Sequence, residues 1–212
     1  MHAKYILLTI MIIMYIYPML KKTTIKDQNN WITMDNVVRE RFISSPSARV
    51  YLARQTKSGH LVRLKNNLYI TSGEWDGATW NDQLRMANRI QVPSYISLLT
   101  ALAYYDVSSQ IPAQRIESIA RTRTYTKTIQ TVEFAFIKIN RAYYNGFIRK
   151  EGIFFATPEK ALADAIYLCS LGKYALDLYA LDLNKINTEL LESALSSFPK
   201  KTQNWWRKHE FI

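Results

Sequence analysis

The sequence predicts an α+β protein in which a winged helix-turn-helix precedes a mixed α/β domain. Three observations predict it. Ser45 to Thr71, SPSARVYLARQTKSGHLVRLKNNLYIT, reads as helix, glycine stop and short hairpin. Residues 116–121 and 132–139 alternate like strands, and Phe134, Phe136 and their β-branched neighbours agree. Residues 157–171 then carry a capping residue, a proline in the first turn and apolar spacing that suits a helix.

The chain of 212 residues carries a formal net charge of +11 and is 48% hydrophobic, which argues for folded domains and an anionic partner. Taken in order, residues 1–22 form an apolar N-terminal segment in which Lys4 precedes a run from Tyr5 to Tyr17. That run is shorter than the roughly 20 residues a bilayer span needs, and Pro18-Met19-Leu20-Lys21-Lys22 offers no small-residue cleavage site. Three readings fit it: translation starting at Met19, a helix packing on the DNA-binding domain, or a membrane anchor. The expectation is a cytoplasmic protein without a membrane partner.

Residues 23–71 read as the winged domain. Thr33 caps a helix in which Met34, Val37, Val38 and Phe42 recur at helical spacing. Ser44-Ser45-Pro46 is the turn, and Pro46 to Ser58 is the recognition helix, closed at Gly59. At about 100° per residue, Ala48, Leu52 and Gln55 face the core while Ser47, Val50, Tyr51 and Arg54 face the major groove. Arg49 points elsewhere and meets phosphate. Asn66-Asn67 makes the hairpin turn, because asparagine tolerates positive φ, and Arg63 and Lys65 flank it. Residues 45–71 carry no acidic residue.

Residues 72–81, with Gly73, Gly77, Trp75 and Trp80, are expected to be a docked linker, and residues 82–198 the second domain. In that domain Leu84, Ala87 and Ile90 mark a helix stopped by Pro93. A helix over Tyr95–Tyr105 starts at Ser94, and residues 152–156 form another strand. In the helix from Thr157 to Leu171, Ala161, Leu162, Ala165, Ile166 and Cys169 are expected inside. Lys160 and Asp164 are expected to pair at i,i+4 on the outside. Residues 199–212 read as a basic tail.

The single cysteine, Cys169, allows no internal disulfide, and His2, His60 and His209 lack metal-ligand spacing. No phosphate-binding glycine loop or nucleophile elbow is present, so no cofactor, metal or catalytic residue is expected.

Pro93-Ser94-Tyr95-Ile96-Ser97, Ala101-Leu102 and Gln110-Ile111-Pro112 resemble the PxYISxxxALxxHGLxxQxP pattern of AbiEi-type antitoxins. Ala156-Thr157-Pro158-Glu159-Lys160-Ala161-Leu162-Ala163-Asp164 resembles that family's AxPEKALLD signature. Phe147 sits where the family tends to carry a phenylalanine before its last strand, and Leu68-Tyr69 resembles the end of its RGLY wing. The likeness spans roughly residues 31–198. Tyr105-Asp106-Val107 stands in place of His-Gly-Leu, and Asn66-Asn67 in place of Arg-Gly. The resemblance implies a type IV toxin–antitoxin protein associated with phage defence. Its winged domain would repress its own operon at inverted repeats, and its second domain would counter a nucleotidyltransferase-like toxin. It places DNA contacts on Ser47, Arg49, Val50, Tyr51, Arg54, Arg63, Lys65, Asn66 and Asn67. The antitoxin motif falls on Tyr95, Ser97, Pro112, Glu159, Lys160 and Asp164. Two other readings compete with it. One is a stand-alone winged-helix regulator with a ligand-sensing second domain. The other is an enzyme acting on nucleic acid through Glu133, Glu159 and Asp164.

Overall fold

The structure is a computed structural model that describes residues 31–112 and 114–209; the readings on residues 1–22 lie outside them. The fold is α+β, and the chain divides into two compact units, Met1–Gly77 and Ala78–Ile212.

The first unit is a winged helix-turn-helix: helix α1 (Met34–Arg41), helix α2 (Ser45–Lys57), then strands β1 (Leu61–Lys65) and β2 (Leu68–Thr71). Thr33 and Asn36 make a reciprocal capping box that starts α1. Ser44 caps α2 and Pro46 occupies its first turn, so the helix begins one residue before the expected Pro46. Gly59, at φ 77, takes the left-handed stop behind it. Asn67, at φ 58, supplies the positive φ of the hairpin turn. Ile32, Val37, Ala48, Leu52, Leu61 and Tyr69 form the core. The backbones of Ile32 and Tyr69 exchange two hydrogen bonds, at 2.8 and 2.9 Å, which add a short third bridge to the wing.

The expected linker is mostly helical. Thr71 and Glu74 form a capping box over helix α3 (Ser72–Asp76), and Thr79 and Asp82 form another over helix α4 (Trp80–Ile90). Each is a threonine followed three residues later by a carboxylate, a start signal that outweighs the flanking glycines.

The second unit is built on a six-stranded mixed sheet. Its strands are β3 (Ser94–Ile96), β4 (Arg115–Ala120), β5 (Tyr125–Ile129), β6 (Val132–Lys138), β7 (Phe147–Lys150) and β8 (Ile153–Ala156), in the order β5-β6-β4-β3-β8-β7. The β3–β8 and β4–β6 pairs are parallel and the other three antiparallel. Helix α4 packs on β3, β4 and β8, and helix α5 (Leu98–Tyr104) packs on β4 and on helix α6 (Pro158–Ser170). Helices α7 (Thr188–Ser196) and α8 (Lys200–His209) pack on α6.

Two expectations are corrected here. Tyr95 and Ile96 do not belong to a helix. They are central strand residues with β4 on one side and β8 on the other, and the helix begins only at Leu98. Pairing on both edges outweighs their local spacing. The basic tail is ordered over α8, whose Thr202 and Trp206 are buried. Among the described residues no helix is long and apolar enough to cross a membrane.

Leu52 is 2% exposed in the first core. Leu52→Ala should therefore destabilise that unit by about 2–5 kcal/mol, the usual range for leaving such a cavity. Hydrogen exchange at the Tyr69 and Leu61 amides reads this directly: protection should fall, and unchanged protection would refute this core assignment.

Candidate nucleic-acid interface

The exposed face of α2 follows from its buried one. Ala48 and Leu52 are buried and define the side packed against the core. At about 100° per residue, Val50 lies opposite them, with Lys57 and Arg54 within about 40° of it. Ser47 and Ala53 lie further round, and Arg49 sits at about 100°, on the flank. Val50 is 49% exposed, and Pro46, Ser47, Arg49, Ala53, Arg54 and Lys57 are exposed as well. The face therefore offers one apolar centre flanked by Arg54 and Lys57. Lys57 was not among the expected contacts, although its position in the basic run placed it near.

The wing carries Arg63 and Asn66 outward. The Arg63 guanidinium donates to Asn66 Oδ1 at 3.2 Å through Nη2, which holds the arginine along the turn. Lys65 is half-buried at the end of β1. No carboxylate interrupts residues 44–71.

Two expected contacts are turned to structural work. Tyr51 is half-buried and packs against the core with Met34, Val38 and Ile43. Its hydroxyl accepts a hydrogen bond from Arg41 Nη2 at 2.8 Å, and the Arg41 guanidinium lies 4.1 Å from its ring centroid. Asn67 Oδ1 accepts the Met34 N–H at 2.6 Å and so satisfies an orphan donor of α1 from the wing. Ser47, Arg49, Val50, Arg54, Arg63 and Asn66 remain available on the surface.

In the second unit, four of the six motif residues meet in one buried cluster. Asp164 is 0% and Lys160 3% exposed. Tyr95 Oη–H and Ser97 Oγ–H both donate to Asp164 Oδ2 at 2.9 Å, and Lys160 Nζ pairs with Asp164 Oδ1. The expected surface ion pair is therefore a core ion pair. Helix α6 is covered nearly all round, and only buried partners can satisfy these two charges. Burial pushes the Asp164 carboxyl up, against the pull of Lys160, Ser97 and Tyr95. Burial beside Asp164 likewise raises the Tyr95 hydroxyl.

The ring of Tyr95 stacks on Phe147 at 4.7 Å and tilts against Tyr144 at 5.1 Å. Gly146, at φ 69, lies against the Lys160 stem, where an added Cβ would meet Cδ at 3.0 Å. Glu159 Oε1 accepts the Asn187 N–H at 3.3 Å, just before α7, and Pro112 is half-buried ahead of β4.

Glu117 was not anticipated. It is buried and accepts from Tyr174 Oη at 2.7 Å, Leu99 N at 3.2 Å and Arg115 Nε at 3.0 Å. Its carboxylate takes the N-terminal capping role on α5 that the Ser97 side chain leaves open. Glu133 pairs with Arg115, so Glu133, Glu159 and Asp164 each have different partners. Among the described residues no three His, Cys, Asp or Glu side chains gather in a metal-binding group. An open groove of about 560 Å3 is lined by Asp106, Val107, Ser108, Tyr179, Asp182 and Lys185, among others.

No family model matches the chain, and no curated protein matches it. Among solved structures, the chain is similar to the crystal structure of the RV2827C protein from Mycobacterium tuberculosis, at 13% identity and a TM-score of 0.53. The match covers 84% of this chain and 70% of that one. At that identity the likeness speaks for the fold alone.

Removing the Asp164 charge strands a buried ammonium. Asp164→Asn should cost about 3–5 kcal/mol, whereas the double substitution Lys160→Met with Asp164→Leu should cost clearly less. Chemical denaturation of these variants, and of Lys160→Met and Asp164→Leu singly, checks this. A double substitution as costly as the sum of the two singles would show that the pair is not coupled.

Proposed function

We propose that the chain is a DNA-binding antitoxin that represses its own operon through the first unit and counters a nucleotidyltransferase-like toxin through the second. The observation that carries the DNA half is the exposed, acid-free face of α2. It holds Ser47, Val50, Arg54 and Lys57, with Arg49 on its flank and Arg63 and Asn66 on the wing. An arginine near the centre of such a face reads guanine edges, and a valine meets thymine methyl groups. The wing and flank cations meet phosphates, which position the helix without reading sequence.

What supports the antitoxin half is the resemblance to AbiEi-type proteins over residues 93–112 and 156–164. Tyr95, Ser97, Lys160 and Asp164 act within that half by holding β3 to α6, not by touching a partner. A stand-alone regulator with a sensing domain is the second reading, favoured by the open groove beside Tyr179 and Lys185. Rescue of cells from a toxin encoded alongside separates the two.

Three outcomes are expected. DNA affinity should fall steeply with salt, by about 0.9 in log–log slope for each phosphate neutralised. Arg54→Ala should weaken a selected duplex by about 1–3 kcal/mol and relax its sequence preference, while Arg63→Ala should weaken all duplexes alike. Equal behaviour of the two variants on selected and random DNA would contradict the placing of the reading face. In cells with expression driven from a foreign promoter, Arg54→Ala should still protect from the toxin. Leu162→Asp, which buries an unpaired charge, should not. Loss of protection in the arginine variant would refute the division of roles.

A further inference from the structure

Phe42 is a large side chain that the core of the first unit does not use. It is 93% exposed, and its backbone sits at φ 51 and ψ 41, the left-handed region that glycine and asparagine enter more readily. Such a ring forgoes burial among the described residues and adds a backbone cost, so it contributes nothing to the core they form.

Its position is informative. Phe42 ends α1 and lies two residues ahead of Ser44, which caps α2. In a helix-turn-helix the first helix crosses the DNA backbone, and the first residues of the second reach base edges. The turn between them therefore sits at the rim of the major groove. Around Phe42 the exposed side chains are polar or charged, of both signs: Arg39, Glu40, Ser44, Ser45 and Ser47. Binding phosphate would call only on Arg39 and the serines. The phenyl ring adds an apolar contact, and the apolar group that the major groove presents is the thymine methyl.

We infer that Phe42 is a specificity-determining residue whose ring packs on the 5-methyl group of a thymine at the edge of each half-site. The inference rests on the DNA-binding reading above. A second copy of the chain seated on the ring is the rival occupant.

The test begins with a duplex selected from a random library by the full chain. Affinities of the wild type and of Phe42→Asn are then compared on that duplex and on versions with single thymines replaced by deoxyuridine, which removes only the methyl. Asparagine tolerates the left-handed backbone, so the variant should fold and melt at or above the wild-type temperature. The expected result is a roughly ten-fold or larger loss for Phe42→Asn on the selected duplex. At one thymine position in each half-site, deoxyuridine should cost the wild type roughly four-fold and the variant nothing. Unchanged affinity of Phe42→Asn would overturn the inference. So would a loss coupled to no thymine, and a change in sedimentation would then assign the ring to a contact between copies. Arg54→Ala is measured alongside: if it too leaves binding intact, the DNA reading itself fails, whereas an Arg54 effect without a Phe42 effect removes only this inference.

Discussion

A carboxylate with no exposure must be paired and hydrogen-bonded, and that requirement organises the second unit. Asp164 receives Lys160 from its own helix and Tyr95 and Ser97 from the end of β3. Those donors join α6 to a strand that lies 67 to 69 positions away in sequence. Satisfying Asp164 therefore pins the helix to the centre of the sheet. It also explains the neighbours. Gly146 lets the backbone lie against the Lys160 stem, and Phe147 and Tyr144 cover the Tyr95 ring. Glu117 does similar work nearby, tying β4 to the first turn of α5 and to Tyr174.

The first unit is held by smaller polar devices. Asn67 reaches from the wing to Met34, and Tyr69 exchanges backbone hydrogen bonds with Ile32. Both tie the hairpin to the entry of α1. Arg41 then lies over Tyr51 and holds that ring against the core. With these groups engaged within the unit, the outer side of α2 is left to Ser47, Val50, Arg54 and Lys57. An unfilled hydrogen-bonding surface of one charge sign is what a phosphate backbone with readable base edges complements.

Much of this was legible in the sequence, for identifiable reasons. The helices over residues 34–41, 45–57 and 158–170 announced themselves through caps and a first-turn proline, and β4 and β6 through dense apolar alternation. The strands not foreseen as elements, β5 and β7, are the two edges of the sheet. Their sequences, YTKTI and FIRK, are polar or charged because an edge strand has to discourage further pairing. Strand β3 was hidden because three buried residues adjoining a helix read as more of that helix. In the proposed DNA-facing region the cations were readable from composition. The tethering of Tyr51 and Asn67 was not, since their partners Arg41 and Met34 lie on another element. Lys160 and Asp164 looked like a solvated i,i+4 pair, the common case, although the residues between and after them are apolar on every side.

Val50 is the apolar centre of the proposed reading face, and its methyl groups report most directly on what that face meets. The measurement is a methyl NMR titration of the full chain with a selected duplex, followed by a search for intermolecular contacts. The Val50 methyls should shift strongly and show contacts to major-groove protons, while methyls in the buried core of the same unit, such as Leu52 and Val37, should move little. Shifts confined to other surfaces, with Val50 unmoved at saturating duplex, would contradict the account.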